Sequence, residues 1–185
     1  HAMRDAGEGY CVFNDAAVAI RTLQQEGAIH RACVIDLDVH QGNGTAEILA
    51  DDSTAFTLSI HGVRNFPIRK SPSDLDVALE DGVDDAHYLA ALKNALQQLD
   101  AAGRFDLAIY LAGADPYQGD RLGRLSVTKQ GLAERDRVVM QWCLNRRLPL
   151  AIAMAGGYAP EVVDIVDIHG MTVLLASQHA SIPRP

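Results

Sequence analysis

"VIDLDVHQGNGT", Val34 to Thr45, begins as an apolar run and ends in small polar residues. Asp36, Asp38 and His40 interrupt the run at alternate positions. In a β-strand, side chains alternate between faces with period two, so the three would share one face. Burying them together is costly unless something compensates. A metal ion is the simplest compensation.

The segments around this stretch alternate in type. Tyr10 to Gln25 is expected to be helical, with Phe13, Ala16, Ala17, Ile20 and Leu23 at helical spacing. Ala32–Val39 and Thr54–Ile60 read as strands, Phe105–Ala112 as a near-continuous apolar strand and Leu148–Met154 as a fully apolar one. Asp84–Asp100 carries a leucine stripe at Leu89, Leu92, Leu96 and Leu99, and Thr128–Arg146 is a second long helix with Thr128 as its N-cap. Ala159–Ala176 is expected to be a further helix, and Asn65–Asp74 a long surface loop. Strands apolar on both faces, alternating with helices, predict an α/β fold with a mostly parallel sheet covered by helices.

At 185 residues the chain is read as one domain spanning 1–185. Its 24 acidic residues against 16 basic ones give a net charge of −8. That balance argues against a nucleic-acid partner and against an anionic membrane surface. The three cysteines, Cys11, Cys33 and Cys143, are far apart. They suit a reduced, cytoplasmic setting better than a disulfide framework or a zinc ribbon. Neither a signal peptide nor an apolar span of membrane length is visible.

Ligands of open α/β sheets bind beyond the carboxyl ends of the strands. Here one strand runs into "DLDVHQGNG", another into Gly113, Ala114 and Asp115, and a third into Gly156, Gly157 and Tyr158. All three ends are expected to converge on one edge of the sheet. Asp38, His40 and Asp115 then make a set of two oxygens and one nitrogen. Three protein ligands leave a position open, as a catalytic zinc site requires, and Fe2+ would also be accepted. An ion there would acidify a water and polarise a carbonyl. Tyr158, after its glycine turn, could donate a proton to a developing oxyanion.

Four motifs carry a resemblance. "HAMRDAGEGYCVFNDAAVA" (1–19), "VIDLDVHQGNGT" (34–45), "LAGADPYQGDRLGRLS" (111–126) and "AGGY" (155–158) keep their order and cover nearly the whole chain. Together they resemble the zinc-dependent histone deacetylases, most closely the class IV branch and its bacterial relatives. Gln41, where many deacetylases have a second histidine, suits that branch. The resemblance implies an arginase–deacetylase fold, a three-layer α/β/α sandwich. It also implies removal of acyl groups from acyl-lysine peptides or small acylated amines.

Position by position, the resemblance implies Asp38, His40 and Asp115 as Zn2+ ligands. Tyr158 would bind the acyl carbonyl, and His1 would be the proton-transferring base and acid. Asn43 would contact that histidine, where an amide offers less compensating charge than a carboxylate would. Asp36 and Ser59 would match a structural K+ site, helped by backbone oxygens of Asp36, Asp38, His40 and Ile60. Gly9, Tyr10, Phe66 and Leu122 would line the acyl-lysine tunnel, with Gly156 and Gly157 beside it.

The match starts at the second histidine of the family's His-His pair. The chain is therefore expected to be a truncated or naturally shortened relative lacking the N-terminal strands. His1, at a chain end, is expected to be mobile. A homo-oligomer formed through the exposed truncated face is expected, as is weak or no activity. Two alternatives compete with a deacylase. One is a non-catalytic metal-binding or assembly module. The other is an arginase- or agmatinase-like hydrolase with two manganese ions, which usually needs D-x-H-x-D; here Gly42 stands at the last position.

Overall fold

The apolar runs form strands, and every strand pairing is parallel. The computed structural model describes residues 1–180. Its strands are β1 (Ala32–Asp36), β2 (Ala55–Gly62), β3 (Leu75–Leu79), β4 (Leu107–Ala112) and β5 (Leu150–Met154). Its helices are α1 (Asp15–Gln25), α2 (Asn43–Leu49), α3 (Asp85–Ala101), α4 (Lys129–Asn145) and α5 (Val162–Ala180). All five residues of β1 are buried, as a strand covered on both faces must be.

On one face, Leu92 and Leu99 of α3 and Val139 and Trp142 of α4 pack onto Ile35 and Tyr110. On the other, Ala17 and Ile20 of α1 and Leu49 of α2 pack onto Val34 and Ile109. Leu175 of α5 seals against Met140 of α4. The expected three-layer α/β/α sandwich is therefore present. Local chemistry sets the helix starts. Thr128 accepts from the Gly131 amide (3.0 Å), and Asp84 accepts from the His87 amide (3.0 Å). Among the described residues, no helix is long and apolar enough to cross a membrane.

The strand order β3-β2-β1-β4-β5 positions the site. From β1 the chain winds outward to β2 and β3, then returns to β4 on the other side of β1. The order reverses between β1 and β4, and a crevice opens beyond the carboxyl ends of such a pair. Asp38 follows β1 and Asp115 follows β4.

Several local expectations need correction. Helix α1 starts at Asp15, not Tyr10, because Asn14 Oδ1 caps the Ala17 amide (3.0 Å). Before it, Gly9 and Tyr10 both have positive φ (53° and 66°) and turn the chain between Glu8 and Cys11, which pair as an antiparallel bridge. Strand β1 stops at Asp36, so Asp38 and His40 do not continue its pleated face. Helix α2 and edge strand β3 were not expected. Helix α5 begins and ends later than expected, at Val162 and Ala180.

Candidate active site

Past β1 the chain tightens into a coil held by its own carboxylates. Asp36 Oδ1 accepts from the Asp38 amide (3.1 Å), and Asp38 Oδ1 from the His40 amide (2.8 Å). Asp115 Oδ1 reaches across from the end of β4 to accept from the Val39 amide (2.8 Å). The Gly156 amide, after β5, donates to Asp38 Oδ2 (2.6 Å). The expected convergence of Asp36, Asp38 and His40 thus arises from carboxylates binding backbone N–H groups, not from a continuing strand.

The result is a compact donor set. His40 Nδ1 lies 3.0 Å from Asp38 Oδ1 and 3.1 Å from Asp115 Oδ2. Asp115 is fully buried, and Asp38 and His40 are nearly so. Burial pushes the Asp36 carboxyl well above the ordinary range, and the neighbouring Asp38 charge adds to this. Burial, then the Asp38 charge, raises Asp115 to about 7. Burial opposes a charge on His40, but its bonds to Asp115 and Asp38 outweigh that and raise it to about 10. Buried oxygens crowded against one another are what a divalent cation offsets. Asp38, His40 and Asp115 can hold one.

His1 stands close by. One ligand atom each from His1, Asp38 and His40 fall within 4.8 Å of one another. Asp115 is a third donor to the same place, its Oδ2 facing His40 Nδ1 at 3.1 Å.

Close approach of backbone makes the packing possible. A Cβ on Gly156 would overlap Asp115 Oδ2 and stand 2.7 Å from Asp38 Oδ2. A Cβ on Gly42 would overlap Asp36 Oδ2, so no carboxylate side chain fits there.

Aromatic rings enclose the donor set beside a cavity of about 310 Å³. His40 is edge-on to both His1 and Tyr158 (6.1 Å between centroids in each case). Phe66 packs edge-on to His1 (5.2 Å), and Tyr10 lies 6.0 Å from Tyr158. His1 is tied down rather than loose as expected. Its ring meets Asn43 and Phe66 and leaves no room for a side chain at Gly9, while Ala2 is buried and accepts from Asn14 (3.3 Å). Burial, then the Asp38 and Asp115 charges, push the Tyr158 phenol up to about 12, so it remains a donor at neutral pH.

Other expected residues lie further out. Gly157 faces Ile165 and Ala114 instead of the cavity. Leu122 is 44 % exposed, and its carbonyl accepts from Asn65 (2.7 Å). Ser59 is the register partner of Asp36, with Ile60 next to it, and its hydroxyl lies 3.0 Å from His61 Nδ1.

Three supports escaped the sequence reading. Asp120 accepts from the Tyr158 amide (2.6 Å) and Arg121 donates to the Tyr158 carbonyl (3.0 Å), so one loop grips both sides of that residue. Arg135, fully buried on α4, donates to the Gly113 carbonyl (2.6 Å) and bonds Asp136 (2.9 Å). Asp136 also accepts from Tyr110 and Thr172 (2.5 Å each), which anchors the turn leading to Asp115. Glu8 accepts from the Asn43 amide (2.6 Å).

Comparison with known proteins gives the family and the fold. The profile of the histone deacetylase domain matches residues 1–169. The chain belongs to the histone deacetylase family. It is 46 % identical to an uncharacterized protein of Picosynechococcus, covering 92 % of this chain and 57 % of the relative. It is 32 % identical to histone deacetylase 2 of Arabidopsis thaliana, covering 85 % of this chain and 42 % of that protein. Among solved structures, the HD domain of HDA15 superimposes with a TM-score of 0.82 at 26 % identity, over 99 % of this chain and 54 % of that one. An acetylpolyamine aminohydrolase from Burkholderia pseudomallei superimposes at 0.79 and 24 % identity, over 94 % of this chain and 52 % of that one, and shares the fold. This member of the family thus spans about half the length of the relatives it matches.

Proposed function

We propose that this chain is the metal-binding core of a deacylase that removes acetyl or other acyl groups from lysine side chains or small acylated amines. One observation carries the reading: Asp38, His40 Nδ1 and Asp115 converge beneath the rings of His1 and Tyr158. The donor set suits Zn2+ best and Fe2+ next. Bound there, such an ion supplies Lewis-acid polarisation of the acyl carbonyl and a more acidic water.

The chain's own residues do the rest. Tyr158, gripped by Asp120 and Arg121, donates its phenol proton as a hydrogen bond to the acyl oxygen as negative charge develops. His1 takes the proton of the attacking water and delivers it to the leaving amine. Gly9 and Tyr10 line the cavity, and Phe66 packs against His1. Asp36 and Ser59, side by side in register, are proposed to hold K+ together with backbone oxygens of Asp38, His40 and Ile60. The reduced cytoplasm is the proposed setting, consistent with three free cysteines.

The two-manganese alternative is disfavoured by the crowding at Gly42, where a bridging carboxylate would strike Asp36. A non-catalytic module remains the competing reading, because the chain spans about half of its relatives. An assay of acetyl-lysine peptide and an acetylated diamine, with and without added zinc, separates the two. With the N-terminal half of a relative supplied, zinc-dependent acetate release, lost in Tyr158→Phe, is the expected outcome. Zinc binding without hydrolysis, even when the N-terminal half of a relative is supplied, would establish the module.

Self-association is also expected. Among the described residues, strand β5 pairs only with β4, Met154 on it is 68 % exposed, and Val162, Val166 and Val173 of α5 are exposed as well. An open edge beside apolar surface favours pairing with another copy. Sedimentation equilibrium at high concentration should show dimers or larger species, and a clean monomer would count against this.

A further inference from the structure

Asn43 sits between two partners. It is 3 % exposed, its Oδ1 lies 2.8 Å from His1 Nδ1, and its Nδ2 donates to Glu8 Oε2 at 2.6 Å. An ionised carboxylate accepts hydrogen bonds and cannot donate them. Glu8 therefore requires the NH2 end of the Asn43 amide, which turns the carbonyl end toward His1. A carbonyl oxygen also only accepts, so His1 Nδ1 must carry the proton of that bond. In a neutral imidazole the other nitrogen, Nε2, then keeps its lone pair. The ring bearing it lines the cavity.

We infer that Glu8 is a positioning residue that fixes the tautomer of His1 through Asn43, so that Nε2 is the nitrogen free to accept a proton. The inference deepens the deacylase reading and rests on it for its functional meaning. The backbone supports the assignment. Glu8 and Cys11 bridge through both amides (3.1 and 2.8 Å), and the positive-φ turn at Gly9 and Tyr10 between them presses Gly9 onto the His1 ring. One short turn therefore sets both the Glu8 carboxylate and the place of the imidazole. Asn43 with Glu8 does in two residues what a single aspartate at position 43 would do alone. A neutral amide without Glu8 could present either end to the histidine.

The test is nitrogen-15 NMR of His1 in the full 185-residue chain. It is read at alkaline pH, where two-bond couplings separate the Nδ1–H from the Nε2–H tautomer. The native chain should show nearly all Nδ1–H. Glu8→Ala should give a mixture, and so should Glu8→Gln, whose amide can present either its oxygen or its NH2 to Asn43. Asn43→Asp alone sets two carboxylates against each other and should disturb the ring; Asn43→Asp with Glu8→Ala should restore Nδ1–H. A native Nε2–H tautomer, or pure Nδ1–H in Glu8→Ala, would overturn the inference. Circular dichroism checks that each variant is folded. Zinc titration of the native chain tests the deacylase reading separately, since its failure would leave the tautomer result standing.

Discussion

Gly156→Ala is expected to weaken zinc binding on the order of 100-fold, the upper end of what changes immediately behind metal ligands cost. The added methyl would overlap Asp115 Oδ2 and press to 2.7 Å on Asp38 Oδ2. One of the two carboxylates must leave its place, and the hydrogen bond from the Gly156 N–H to Asp38 Oδ2 (2.6 Å) is disturbed with it. Because the residue lies in the loop after β5, thermal stability should change far less than affinity. Gly157→Ala is the control. Its methyl would meet Ile165 at 3.0 Å and Ala114 at 3.1 Å, a packing strain away from the carboxylates. Competition with a chromophoric chelator measures both variants. Equal affinity in Gly156→Ala and the native chain would mean that these carboxylates do not bind the ion.

The second large effect concerns turnover. The three functions required are a metal, an oxyanion donor and a proton-transfer group held at near-contact distance. Asp38, His40, Asp115 and Tyr158 supply the first two, and His1 the third. His1 is better held than a free chain end, through Asn43, Phe66 and Gly9. The 185 residues span about half the length of the relatives they match, and by themselves they are proposed to be a weak deacylase or an inactive one. Joining to them the N-terminal half of a relative, ending in a histidine directly before His1, should raise turnover of acetyl-lysine peptide at least roughly tenfold. In that extended protein, His1→Ala should lower kcat by about 10²–10⁴, the ordinary contribution of a positioned general base. Turnover by the unextended chain as fast as by the extended one would show that other residues complete the chemistry.

Much of this was legible in the sequence, for reasons that differ by residue. Apolar runs such as Leu107–Ala112 and stripes such as Leu92, Leu96 and Leu99 are long enough to declare their period, and Thr128 announces its helix. The donors were legible because the carboxyl ends of parallel strands collect ligands, and because the motifs around them resemble a known family. Helix α2 was not, since "NGTAEIL" is short and follows Gly42, which offers no side-chain cap. Strand β3 was missed because it lies at the sheet edge and is only half-buried at alternate positions. The end of β1 was misplaced because Asp38 and His40 mimic a pleat while bonding the backbone of a coil. Glu8, Asp120 and Arg135 have charged side chains of the kind normally left in solvent. Only their partners, Asn43, Tyr158 and the Gly113 carbonyl, reveal their purpose, and no local pattern places those partners beside them.

The most direct test of the account is zinc content in the native chain and in Asp115→Ala, measured by elemental analysis after loading and desalting. Asp115 is fully buried, approaches His40 Nδ1 to 3.1 Å, and comes from a different strand than the other two donors. The native chain should retain close to one zinc per chain, and Asp115→Ala should lose most of it while staying folded. Full zinc stoichiometry in folded Asp115→Ala would contradict the site described here.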